Sequence, residues 1–245
     1  MNMEAYLRGS QSAVQAVLNQ AKEIAKYLPL EWTKGVEVVL RICLGNPQLS
    51  PHNVQGVTGN DILRKWLLQY KKGLEQRASA RASEMPGTVP DSIVDDIIGT
   101  RLPHLGSGDL QRIKFGHRLS MSGENTLGLL LEDYLAGELV LYGWHCCWGA
   151  TLRSVDFCHE DGRLLQIKNR SNSENSSSSR VREGTGIQAW YRVVATTGAY
   201  KWPDLNRLVG CNHLSEENFR GFVNKVVLAN PHLVPIESDN PWLDH

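Results

Sequence analysis

The stretch Arg153-Ser-Val-Asp-Phe-Cys-His-Glu-Asp-Gly-Arg-Leu-Leu-Gln-Ile-Lys-Asn-Arg170 decides the fold. Val155 and Phe157 alternate with Ser154, Asp156 and Cys158, and Leu165 and Ile167 alternate with Gln166 and Lys168, which is the two-residue period of β-strands. Asp161-Gly162 between them marks a hairpin turn. A two-residue turn would set Val155 opposite Lys168 and mix polar with apolar side chains on both faces, which burial opposes. A three-residue loop, Glu160-Asp161-Gly162, pairs Val155 with Ile167 and Phe157 with Leu165, with glycine where a positive φ is needed. That register sets Asp156 opposite Gln166 and Ser154 opposite Lys168.

A carboxylate, an amide and an ammonium on one face form a chemically useful set. Carboxylate and amide oxygens are hard ligands suited to magnesium. A lysine beside them orients or deprotonates a water, or neutralises charge growing on a phosphate. One carboxylate is few for a dication. The helical run Thr126–Leu139 (TLGLLLEDYLAGEL) offers Glu132, with Glu124 and Gly128 on nearly the same stripe. Spacing leaves two arrangements open: Glu132 turned inward as the second carboxylate, or Glu132 in solvent with Asp133 while Asp156 and Lys168 form a cross-strand ion pair.

Outward from the hairpin, the first hundred residues read as helical. Apolar positions from Val14 to Leu28 recur at three and four, and Pro29 ends that helix. A second helix is expected over 31–44, a loop over 46–59, a long helix capped by Asn60 and running to about Ser83, and a short one from Pro90 to Ile98. Two further helices are expected over 107–121 and 123–141. Short β-type runs follow at 144–150, 153–158, 164–169 and 189–195, then a helix capped by Ser215. The expected organisation is therefore an α/β core over 107–245 behind a helical region over 1–106. No stretch is apolar enough to span a membrane or to act as a secretory leader, and five cysteines at irregular spacing argue against a disulfide framework, so a reducing cytoplasm is expected. Cys146, Cys147, Cys158 and His159 lack the spacing of a zinc site.

With 26 basic and 26 acidic residues, net charge alone names no polyanionic partner. Locally, however, Arg163, Lys168, Arg170, Arg180 and Arg182 stand against Glu174, and Arg64, Lys65, Lys71, Lys72, Arg77 and Arg81 form a second basic run. Either could be a phosphate-facing side or simply a solvated face.

Gly128-x-x-x-Glu132, Ser-Val-Asp156-Phe and Gln166-Ile-Lys168 together resemble the PD-(D/E)xK nuclease superfamily. The string from Leu164 to Arg192, with SGENTLGLLLEDYLA (122–136) upstream, looks like the SinI/AvaII-type group of Type II restriction endonucleases, which recognise GGWCC. The resemblance covers roughly residues 100–210 and implies a restriction-endonuclease-like core, a central mixed sheet flanked by helices. It also implies a homodimer acting on palindromic duplex DNA with Mg2+. By residue, Asp156 bridges metal and scissile phosphate and Lys168 serves the attacking water. The implied metal set is Asp156, Gln166, Ile167 and Glu132. Gln166 replaces the family's usual Glu, and Val155 its usual proline. The alternatives are a structure-directed repair or junction-resolving nuclease and a DNA-binding protein without cleavage.

The serine-rich stretch 171–180 reads either as a flexible linker or as a DNA-contacting segment. On the second reading Arg170, Ser171, Asn172, Ser173, Asn175, Arg180 and Arg182 touch DNA, with Arg180 or Arg182 reading guanine through O6 and N7. The helices of 1–106 then either clamp DNA through the Arg64–Arg81 run or hold the dimer.

Overall fold

A computed structural model describes residues 1–10, 13–84, 91–171 and 184–243. The N-terminal part holds α1 (Met3–Gly9), α2 (Val14–Ala25), α3 (Lys34–Gly45), α4 (Gly59–Glu75) and α5 (Ile93–Arg101). The long α6 (Ser107–Leu139) leads into β1 (Trp144–Cys146), β2 (Phe157–His159), β3 (Leu164–Arg170) and β4 (Ile187–Val193), then α7 (Trp202–Val209) and α8 (Glu216–Ala229). Among the described residues these strands form one mixed sheet in the order β1-β2-β3-β4, antiparallel except for the parallel β3–β4 pair. No helix among them is long and apolar enough to cross a membrane.

The sheet is covered on both faces. Cys158, Leu164 and Ile187 pack into a cluster with Val39, Leu63 and Trp66 of the N-terminal helices. Phe157, Leu165, Ile167 and Trp190 pack the other way, with Leu131 and Leu135 of α6, Trp202 and Leu205 of α7 and Phe219 of α8. This explains why Leu164-Leu165 are both apolar: a strand buried on both faces needs no alternation. Burial fades along β3, from Leu164–Ile167, all buried, to half-buried Lys168 and Asn169 and exposed Arg170. Its polar C-terminal end thus emerges from the core where α6 passes.

The hairpin has the expected three-residue loop. Phe157 pairs with Leu165, His159 N–H bonds the Arg163 carbonyl at 2.8 Å, and Gly162 takes φ 101°. The ladder stops earlier than expected. β2 begins at Phe157, so Val155–Ile167 and Asp156–Gln166 are not ladder pairs and Ser154 does not stand in a strand opposite Lys168. Leu165 is met both by Phe157 and by the N–H of Asp156 at 2.9 Å, the two-against-one count of a β-bulge. Before it the chain turns through Ser154 at φ 59°.

Other boundaries also differ from expectation. The cap of α4 is Thr58, whose hydroxyl accepts from Asp61 N–H while the Asp61 carboxylate accepts from Thr58 N–H; Asn60 lies inside the helix, which stops at Glu75. The helices expected over 107–121 and 123–141 are one, and only beyond Met121 do its residues become buried. Gly123 does not interrupt it, because a lone glycine costs a helix only ~1 kcal/mol. α1 and α7 were not anticipated.

Close backbone contact ties α4 to the sheet. A Cβ at Gly73 would lie 2.0 Å from the Gly149 nitrogen. Beside it Gln69 Nε2 donates to the Gly149 carbonyl at 2.7 Å and Trp66 Nε1 to the Thr151 carbonyl at 3.2 Å. Gly73→Ala must push this seam apart and is expected to destabilise by ~3 kcal/mol, roughly 10 °C in melting temperature for a chain of this size. Gly221→Ala, in α8 with nothing within 4 Å of the new Cβ, should be neutral or slightly stabilising. Thermal melts of the pair check this; equal midpoints would show that the seam is soft.

Candidate active site

Three of the expected site residues converge. At the bulge, the Asp156 carboxylate takes the place of a ladder carbonyl: its Oδ2 accepts the N–H of Ile167 at 2.7 Å. That same N–H would otherwise bond the Val155 carbonyl, which is why the register ends there. Lys168 follows one residue later on β3, and Glu132 reaches the same place from α6. A cleft of about 590 Å³ opens over them, walled on the helix side by Glu124, Asn125, Gly128 and Glu132 and on the strand side by Ile167, Lys168 and Arg170. The stripe of Glu124, Gly128 and Glu132 therefore forms one wall. Half-buried Asp156 is not itself a wall of the cleft, and neither is Gln166, only 3% exposed.

The two carboxylates disturb each other. Glu132 is pushed up to about 8, first by desolvation and then by the negative charge of Asp156, with Lys168 pulling the other way. Asp156 is pushed up to about 6 by desolvation, against the opposing pull of the Ile167 N–H and Lys168. Desolvation dominates, and Lys168 offsets only part of it. Glu132 is thus turned inward toward Asp156, and among the described ion pairs none joins Asp156 to Lys168, whose charge acts on it only from a distance.

Such a pair has a use for a cation. Two half-buried carboxylates, one raised by the charge of the other, with the main chain of Ile167 on the cleft wall, are hard oxygen donors of the kind Mg2+ takes; Gln166 is not among the residues lining this cleft. Among the described residues no group of three or more His, Cys, Asp or Glu side chains is placed to hold a metal.

The pH dependence follows in sign. Both folded-state values lie above the unfolded ones, so ionisation costs stability: the cost is absent below about 4, grows between, and is complete above about 8. In chelator the melting temperature should therefore fall as pH rises from 5 to 8.5, and Mg2+ should restore more of it at pH 8.5 than at pH 6. Equal Mg2+ shifts at both pH values would contradict this.

The DNA-contacting candidates divide. Arg170 lies on the cleft wall. Ser171 continues the β3–β4 pairing, its N–H bonding the Val193 carbonyl at 3.1 Å and its Oγ accepting from Ala195 N–H at 3.0 Å. Asn172, Ser173, Asn175, Arg180 and Arg182 lie outside the described residues. A support that sequence reading missed stands beside Lys168: Asn169 Oδ1 accepts from Arg192 Nε at 2.9 Å, and Arg192 bonds both Glu216 oxygens at 2.6 Å. Glu216 also accepts from Trp202 Nε1 at 3.0 Å. The only prior signal was a charged residue in an apolar strand, Arg192 within AWYRVVA.

A mixed sheet flanked by helices, with two raised carboxylates and a lysine where a strand leaves the core, defines an α/β protein with a polar, charged cleft. The chain belongs to the SinI restriction endonuclease family, whose sequence model matches residues 53–229 and so contains every residue of that cleft. It is 42% identical over 148 residues to the Type II restriction enzyme Eco47I of Escherichia coli, covering 58% of this chain and 64% of that protein. It is also 42% identical over 143 residues to the Type II restriction enzyme SinI of Salmonella infantis, covering 56% of this chain and 62% of that one. The matches thus span less than two thirds of either relative.

Proposed function

We propose that this chain is a Type II restriction endonuclease with a PD-(D/E)xK core, hydrolysing phosphodiester bonds of duplex DNA at a short palindrome, GGWCC, with Mg2+. The observation that carries this reading is that Glu132 and Lys168 line one cleft, with Asp156 close enough to act on Glu132 by its charge, inside the stretch that matches the family. Asp156, Glu132, the Ile167 carbonyl and Gln166 would hold Mg2+, which supplies Lewis-acid polarisation of the scissile phosphate. Asp156 is preset for its part, since the Ile167 N–H fixes its Oδ2. Lys168 brings a flexible ammonium with three donors to the cleft wall, where it orients the attacking water and balances charge on the phosphate. Glu132 carries a proton near neutrality when no cation is bound, which lowers the repulsion met by incoming DNA. Arg170, Ser171, Asn172, Ser173, Asn175, Arg180 and Arg182 contact the duplex, an arginine reading guanine.

A duplex has two strands, and the described residues of a chain bring Glu132 and Lys168 together in one cleft, so we read the working enzyme as a homodimer. Residues 107–245 are the catalytic core, and 1–106 buttress one face of its sheet as a helical DNA clamp or dimer contact. Incubation with Mg2+ and plasmids that differ only in GGWCC content tests the reading. Discrete fragments with ends at those sites are expected. Cuts confined to junctions or damaged duplex, or binding without cleavage, would overturn it.

A further inference from the structure

A second cleft, of about 610 Å³, continues from the first along α6, and Asn125 belongs to both. Its walls carry Gln76, Arg81, Ser83, Ser122 and Asn125, a set made almost wholly of hydrogen-bond donors; exposed Glu84 is the one carboxylate on it. Arg81 is the cation of this cleft, and the chain around it is held firmly. Its N–H bonds the Arg77 carbonyl at 3.0 Å, its carbonyl accepts from Asn230 Nδ2 at 2.7 Å, and Ser83 N–H bonds the His232 carbonyl at 2.9 Å. The side chain is not satisfied in the same way. Arg81 Nε is shut off from solvent without an acceptor, and among the described residues no carboxylate pairs with this guanidinium. Nearby Arg118 instead pairs with Glu237 at 2.7 Å. What the cleft itself meets is the rest of the half-buried Arg81 side chain, so an anion there pairs with a guanidinium that no carboxylate among the described residues neutralises.

We propose that this second cleft binds a backbone phosphate of the DNA strand, upstream or downstream of the scissile one, with Arg81 as the cationic grip and Asn125 and Gln76 as neutral donors. The inference rests on the nuclease reading. Asn125 precedes Glu132 by seven residues, ~10 Å along the helix. A phosphate held there fixes the strand's register without reading a base.

The test compares wild type with Arg81→Ala, Arg81→Lys and Ser83→Glu. Duplex affinity is measured with Ca2+ in place of Mg2+ at several salt concentrations, and single-turnover cleavage at saturating DNA. Arg81→Ala is expected to weaken binding about tenfold and make the salt slope shallower by about one, leaving the single-turnover rate within about twofold. Lysine should restore most of the slope, and Ser83→Glu, at a half-buried position, should weaken binding by charge repulsion even if the alanine variant folds poorly. In a duplex scanned with single neutral methylphosphonates, one position should weaken wild type while adding nothing to the loss in Arg81→Ala. Unchanged affinity and slope in Arg81→Ala and Ser83→Glu, or no such shared position, with wild type still cutting DNA, would overturn this inference alone. A wild type that neither binds nor cuts duplex would overturn the nuclease reading and this one with it.

Discussion

Asp156→Ala is expected to lower single-turnover DNA cleavage by at least ~10³-fold while changing duplex affinity by less than about threefold. The carboxylate is the one side chain that touches both the strand amide of Ile167 and the charge field of Glu132 and Lys168. Without it the cleft keeps a lysine and one carboxylate, too little to hold a dication against a phosphate. The structural consequence should be modest, because two effects oppose. Alanine leaves the Ile167 N–H unpaired, costing ~1–3 kcal/mol, but it also removes a carboxylate whose ionisation the fold disfavours. A variant that melts within a few degrees of wild type, binds DNA and does not cut is the expected result. Cleavage within tenfold of wild type would remove Asp156 from the mechanism.

The second large effect runs in two directions at once. Glu132→Gln should cut the cleavage rate by ~10²-fold or more, and in chelator at pH 8.5 it should melt several degrees above wild type. The sign follows from the raised value of Glu132: near 8 in the folded chain and near 4.5 unfolded. Ionised glutamate therefore costs the fold on the order of a few kcal/mol above pH 8, and nothing below about pH 4. Glutamine has nothing to ionise, so its advantage should vanish as pH falls toward 4. A residue held only for packing would not give lost activity together with gained stability. A variant that loses stability at every pH would indicate such a packing role.

Part of this is legible in the sequence. The hairpin register followed from pleat alternation and one glycine, because a two-residue turn would have buried a lysine and exposed an isoleucine. Glu132 drew notice as a carboxylate among leucines, yet spacing could not say which way it turned; that depends on how α6 rotates against β3, a tertiary fact. The bulge at Asp156 was not legible either. Its cause is a side chain displacing a backbone carbonyl, and pleat arithmetic counts only backbones. Asn60 is a residue type that caps helices, as Thr58 is, and the reciprocal bond with Asp61 fixes the cap at Thr58. The break expected at Met121–Gly123 marks a change of environment: α6 runs on unbroken, but its buried positions begin at Ser122. α7 escaped notice as only 8 residues, too short for a clear periodic signal beside Pro203.

The central claim is that Asp156 and Glu132 together make one divalent-cation site beside Lys168. Titration of Mn2+ at pH 8, followed by the paramagnetic signal of the free ion, tests it most directly on wild type, Asp156→Ala, Glu132→Gln and the double variant. Saturable binding in wild type, weakened at least tenfold in each single variant and absent in the double, is the predicted result. The same isotherm in wild type and the double variant would contradict it.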